Sequence, residues 1–254
     1  MREYCASTLP FNAFALDEFL NHLAENEITT VELASQHFQD MDAQTAAELQ
    51  AETGVRFKSL LSTNNIAGPN GLDELVDVLN IAQKLSIPMV SVSSGGREDA
   101  TEAEIETIID RLAALTQEAE QRNLMLSFYA HEGSMGYNLQ RTERILNAIS
   151  SNHFGFYYSP YHFHKAGDHP IVALERLAER LCNIYFNCGV DAATGQEPFW
   201  APEMDFQAIC EAIQRTGYSD EIMIIYLGLK VETPEPIVKG IVNARSLLNE
   251  WLKS

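Results

Sequence analysis

Three of the chain's seven histidines fall within twelve residues, His153 to His164, in the run HFGFYYSPYHFH. An imidazole titrates near neutral pH, so such a cluster offers general acid–base chemistry, proton relay or metal ligation. Phe154, Phe156, Tyr157 and Tyr158 predict a half-buried strand. Pro160 has no N–H to donate and ends its pairing, which places Ser159, Tyr161, His162 and His164 in a polar loop past the strand's carboxyl end. His162 and His164 share a parity there and both can face a pocket. Alone, the run reads more simply as an aromatic core strand and its loop. A second polar strand end, Tyr129-Ala-His131-Glu132-Gly133, comes one strand–helix unit earlier, and the repetition suggests a site.

Other candidates are singletons. Glu32 stands between Val31 and Leu33, and either reaches a pocket or is salt-bridged. His131 and Glu132 are adjacent on a strand end and point to opposite sides, so at most one of them faces the pocket, and His131 is the choice. The backbone N–H groups of Ser93-Ser94-Gly95-Gly96 suit an anion, although such a run is more often a plain turn. Cys188 has no basic neighbour in sequence to lower its pKa and reads as core. Cys5, Cys182, Cys188 and Cys210 lack CxxC spacing, which argues against a zinc site or a redox pair.

The elements that must position these residues alternate between two hydrophobic periods eight times. Strands are predicted at 4–8, 28–33, 55–62, 88–93, 124–130, 154–159, 183–188 and 222–227. Helices are predicted at 16–24, 43–53, 72–85, from Thr101 onward, 139–149, 170–181, 205–215, and from Thr233 to near Leu252. Thr101 and Glu104 make a capping box, and Ile105, Ile108, Ile109, Leu112 and Leu115 carry the stripe behind it. Loops are short except 189–204, whose length suggests function. Eight short strands in 254 residues read as a single (β/α)8 barrel domain over 1–254, with its site at the strands' carboxyl ends. A doubly wound sheet is the runner-up, but no GxGxxG occurs.

Composition excludes several partners. A net charge of −19 argues against nucleic acid, whose phosphates demand a basic footprint. No apolar run is long enough to span a membrane. Met1-Arg2-Glu3-Tyr4 runs straight into a strand with no leader, so the expected location is the cytoplasm. The expected partner is a sugar-like small molecule, and a homo-oligomer is left open.

At its strand ends the chain resembles the xylose-isomerase-like barrels, a superfamily of sugar isomerases and epimerases. Ile28-Thr-Thr-Val-Glu32-Leu33 resembles the family's second strand, and Leu126-Ser-Phe-Tyr129-Ala-His131-Glu-Gly133 its fifth. Phe156-Tyr-Tyr-Ser159-Pro-Tyr-His162 resembles the sixth, Arg180 to Asn187 the seventh, and Ile224-Ile225-Tyr226 the eighth. Met204-Asp205-Phe206 with Gly217-Tyr218-Ser219 also fits its pattern. The resemblance implies one divalent metal held by Glu, Asp, His and Glu from the fifth to eighth strands. Those positions here read Tyr129, Ser159, Asn187 (or Tyr185) and Tyr226, with no anionic ligand. Hard cations want several oxygen anions, so no metal and no other cofactor is expected. The resemblance places His162, and less directly His131 and Glu32, at substrate-contacting positions.

Three functions follow as expectations. The first is a metal-independent isomerase or epimerase that moves a proton next to a carbonyl. His162 or His131 would be its general base, with an imidazole pKa of about 6.5, and Tyr129 and Tyr226 would donate to the developing enolate oxygen. Ser159, His164, Asn187 and Glu32 would bind substrate. The second is a degenerate barrel that only binds a sugar-like molecule. The third is a metal enzyme with ligands rebuilt from His131, Glu132, His162 and His164.

Overall fold

Strands buried along their whole length, such as Thr30–Ala34 and Phe154–Tyr158, belong in a parallel sheet covered on both faces. The computed structural model, which describes residues 2–10, 15–190, 198–228 and 233–252, has that sheet. Its strands are β1 (Tyr4–Ser7), β2 (Thr30–Ala34), β3 (Arg56–Leu61), β4 (Met89–Ser93), β5 (Met125–Tyr129), β6 (Phe154–Tyr158), β7 (Leu181–Gly189) and β8 (Ile222–Leu227). They follow one another in order and close into a barrel, with β1 parallel to both β2 and β8. The helices are α1 (Leu16–Glu25), α2 (Ser35–Phe38), α3 (Ala43–Thr53), α4 (Gly71–Lys84), α5 (Glu102–Gln121), α6 (Leu139–Ala148), α7 (Pro160–Lys165), α8 (Pro170–Leu177), α9 (Phe206–Arg215) and α10 (Glu235–Trp251). This is the (β/α)8 fold.

Three local expectations change. The loop expected after Pro160 is the helix α7, because proline at a first helical position is pre-set for the turn. The helix expected to run to Leu181 stops at Leu177 and finishes as a 3-10 turn, Ala178–Arg180. Ser35–Phe38 adds a single turn, α2, too short to show a helical period. The capping box on α5 forms as read, Thr101 and Glu104 each meeting the other's backbone N–H.

The chain forms two compact units. In the first, Met1–Lys58 with Ile184–Ser254, helices α1 and α10 bury Phe19, Leu20, Leu23, Ile237, Val238 and Ile241. Tyr4 on β1 donates its hydroxyl to Asn249 on α10 (3.2 Å), which places Tyr4 on the helix-facing side of the sheet. The residues between β7 and α9 fall partly outside the described set; those that are described fold back, Phe199 stacking on Phe206 at 4.6 Å.

In the second unit, Ser59–Asn183, the α5 stripe is buried as expected, and Phe128 lies 6.1 Å from the rings of both Phe154 and Phe156. The register pairs Ser127 with Gly155 and Tyr129 with Tyr157, so these four occupy the opposite face from the phenylalanines. Among the described residues no helix is long and apolar enough to cross a membrane.

Candidate functional site

In the second unit the site is built by two strand ends. Helix α7 is pinned by Phe163, whose ring packs at 5.8 Å on both Phe156 and Tyr158. That anchor fixes its neighbour His162, which is only 3% exposed. Burial, and then the nearby His131, push the His162 imidazole down to about 3. His162 is therefore neither a loop residue at a rim nor a base with an ordinary pKa, as the sequence suggested. A group that weak accepts protons poorly at neutral pH. His164 does not share its direction: two residues on in a helix is about 200° of rotation, and His164 is half-buried where His162 is buried. Ser159, buried at the N-cap position of α7, marks the end of β6.

His131 comes from the turn after β5. Its ring lies 4.4 Å from that of His162 and tilted by 42°, while Tyr161 approaches His162 from elsewhere at 5.3 Å. His131 Nδ1 is 2.6 Å from the carbonyl oxygen of Glu132. A carbonyl can only accept, so Nδ1 carries a proton there, and in the neutral ring it is then Nε2 that has the lone pair. His131 and Glu132 are both exposed, being in a turn where strand alternation no longer applies. Tyr129 stands edge-on to His131 and to Tyr157, at 6.2 Å from each. Two histidines and two tyrosines thus form one run of ring contacts. Tyr157 was not singled out from sequence, though its register opposite Tyr129 is the signal that finds it.

The first unit holds the remaining candidates. Glu32 is fully buried on β2, paired in register with Ser7. Asn187, buried on β7, faces away from Phe186, whose ring packs at 5.9 Å on Phe199, and its carbonyl accepts the Trp200 N–H at 3.1 Å. Tyr226 departs from expectation. Its ring lies against Gly240 of α10, where an added Cβ would come within 2.1 Å of Cζ. It fills the layer between sheet and helix, so the phenol is not presented at the strand end. By alternation the other face of β8 carries Ile225 and Leu227.

The donor set can be tested against the divalent metal that the resemblance implies. Tyr129, Ser159 and Asn187 offer a phenol, a hydroxyl and an amide, Tyr226 is turned to α10, and no carboxylate or imidazole stands in their places. Among the described residues, no three His, Cys, Asp or Glu side chains gather in a way that could hold a metal ion. These residues do not fit the group.

Two minor candidates resolve as structure. The Gly95 and Gly96 N–H groups are already taken by Ser93 Oγ (3.1 Å) and Asn65 Oδ1 (3.3 Å), so the serine–glycine run is a turn and not an anion cradle. Cys188 is fully buried, and burial raises its thiol well above the ordinary value, as befits core.

Comparison with solved structures finds the same architecture. A D-psicose 3-epimerase from Clostridium cellulolyticum H10 superposes with a TM-score of 0.79 at 12% identity, over 98% of this chain and 99% of that one. An L-ribulose 3-epimerase gives 0.80 at 15% identity, over 100% and 95%. A 3-keto-D-glucoside 4-epimerase from E. coli gives 0.77 at 14% identity, over 97% and 100%. At such identities the likeness is one of fold. No curated protein matches the sequence. The model of one family, however, matches residues 10–246, nearly the whole chain, and this protein belongs to that family, the xylose isomerase-like TIM barrels.

Proposed function

We propose that the chain is a sugar isomerase/epimerase-like enzyme that moves a proton on the carbon next to a carbonyl, without a divalent metal, and that His131 is its general base. The observation that carries this is the His131 tautomer: an exposed ring whose Nδ1 proton is held by the Glu132 carbonyl, leaving Nε2 able to accept. Abstracting the proton leaves an enediolate, whose developing oxyanion needs a donor in place of a cation. Tyr129, edge-on to His131, is the phenol to supply it. His162 stays neutral at physiological pH because it is buried, so it adds no positive charge beside the base. In the same unit, Ser159 and His164 remain proposed substrate-binding residues. Several structural neighbours bear the names of sugar epimerases, which makes ketoses and keto-glycosides the substrates to try first.

The test is hydrogen exchange in heavy water. Candidate ketoses incubated with the enzyme should take up deuterium next to the carbonyl, which proton NMR detects even when net conversion is small. His131→Gln should slow that uptake by about a hundredfold or more. Chelation should leave it unchanged, and elemental analysis should find no stoichiometric manganese, zinc or magnesium. One bound equivalent, lost on chelation together with activity, would overturn the metal-free reading.

A further inference from the structure

The turn that carries His131 is moulded by the loop that follows β4. Three donors of the turn end there: Gly133 N–H on Glu98 Oε1 at 2.8 Å, Met135 N–H on the Gly95 carbonyl at 2.7 Å, and Gly136 N–H on Ser94 Oγ at 2.7 Å. Ser94 is fully buried and has one proton to give; Ser134 Oγ, at 3.2 Å, and the Gly95 carbonyl, at 3.3 Å, are both placed to take it. Ser134 in turn donates its hydroxyl to the carbonyl of His131 at 2.6 Å, and its own N–H reaches the same oxygen at 3.1 Å. Two hydroxyls thus link Gly136 N–H to the His131 carbonyl. The mould itself is fixed. Gly95 has φ +58°, and a Cβ there would meet Asn65 Oδ1 at 1.8 Å, while that same oxygen accepts the Gly96 and Ala67 N–H groups.

We propose that Ser134 is a positioning residue for His131, with Ser94 and Glu98 holding the turn from behind, and that together they select the tautomer that leaves Nε2 basic. This rests on His131 being the base. With its carbonyl held by Ser134, residue 131 cannot rotate away, and the next carbonyl, that of Glu132, stays within 2.6 Å of Nδ1. Without the hydroxyl, the His131 carbonyl keeps only the longer Ser134 N–H contact at 3.1 Å and loses the shorter one. The ring then loses its fixed acceptor and samples both tautomers.

The experiment reads the ring directly. Uniformly 15N-labelled protein at about pH 8, where an ordinary imidazole is neutral, gives a long-range proton–nitrogen pattern that distinguishes Nδ1–H from Nε2–H. His131 in the wild type should show Nδ1–H. Ser134→Ala should shift it to a mixture, and Ser134→Thr, which keeps the hydroxyl, should restore it. Glu98→Ala removes a contact at an exposed residue without touching the core, and should shift the pattern in the same direction. An unchanged Nδ1–H pattern in both alanine variants overturns the positioning role while leaving the base intact. A wild-type His131 protonated on Nε2 overturns the base itself, so the two failures are told apart. Once a substrate is in hand, Ser134→Ala should lower kcat with little change in KM, and Ser134→Thr should recover it.

Discussion

An imidazole buried beside a second imidazole resists protonation, and for His162 that resistance is a contribution to stability. Its folded value of about 3 lies below the ordinary 6.5. Below pH 6.5 the unfolded chain binds a proton that the folded chain refuses, so the contribution is complete above 6.5 and is lost as pH falls toward about 3. At about pH 5 the loss is about 2 kcal/mol, at 1.36 kcal/mol per unit. Denaturant unfolding of wild type and His162→Gln at about pH 7.5 and 5 should show the wild type losing about that much more than the variant between the two conditions. Equal losses would mean that His162 is solvated. The sequence made His162 and His131 conspicuous by type and spacing, but it did not say which was wet. That depended on Phe163, which anchors α7, and on the turn geometry at Glu132.

Short elements were harder to read than long ones. Helix α5 announced itself through its cap and stripe because several turns of period were available. Helix α7 has six residues, and its signals were Pro160 at the first position and His164 and Lys165 in the last turn, where cations suit the helix dipole. On β8 the burial of every residue from Ile222 to Tyr226 hides the alternation, so the side that Tyr226 takes was not legible. The face is set by Gly240, which lets α10 approach the tyrosine ring. Gly240→Ala should therefore destabilise by about 1–3 kcal/mol, the usual result of overpacking, because the ring and the helix must separate. Tyr226→Leu has its own cost, but the pair should be less destabilised than the sum of the single variants, since the smaller side chain makes room. Thermal melts of the four proteins complete that cycle. Simple additivity would place the ring elsewhere.

At the scale of the molecule, 36 acidic residues against 17 basic ones give a net charge that repels itself. The fold and the family were legible from the eightfold alternation and the strand-end motifs; the ion cluster of the first unit was not, because its members are 163 residues apart in sequence. There Lys58, on β3 and buried, meets Glu221 at 2.8 Å and Asp220 at 3.3 Å, and Arg56 closes on Glu221 from the solvent side. Burial alone would raise the Glu221 carboxyl, but its hydrogen-bonded contact with Asp220 and the hydrogen bonds it accepts from Lys58 and Arg56 hold it well below the ordinary 4.5. A lowered carboxylate stabilises the fold above its ordinary value and loses that contribution as pH falls below it. Wild-type melting temperature should accordingly drop steeply below about pH 4.5, and more steeply than that of Glu221→Gln. At neutral pH the variant should already be weaker by about 1–3 kcal/mol, because Lys58 keeps its charge, loses its closest partner and is left with the more exposed Asp220 alone. Lys58→Met combined with Glu221→Leu removes both charges, and should recover most of that loss if the cost lies in a buried lysine left under-paired and not in the pair's attraction. If the double replacement is as unstable as Glu221→Gln, the pair itself, and not the burial of an unmatched charge, is what holds this part of the sheet.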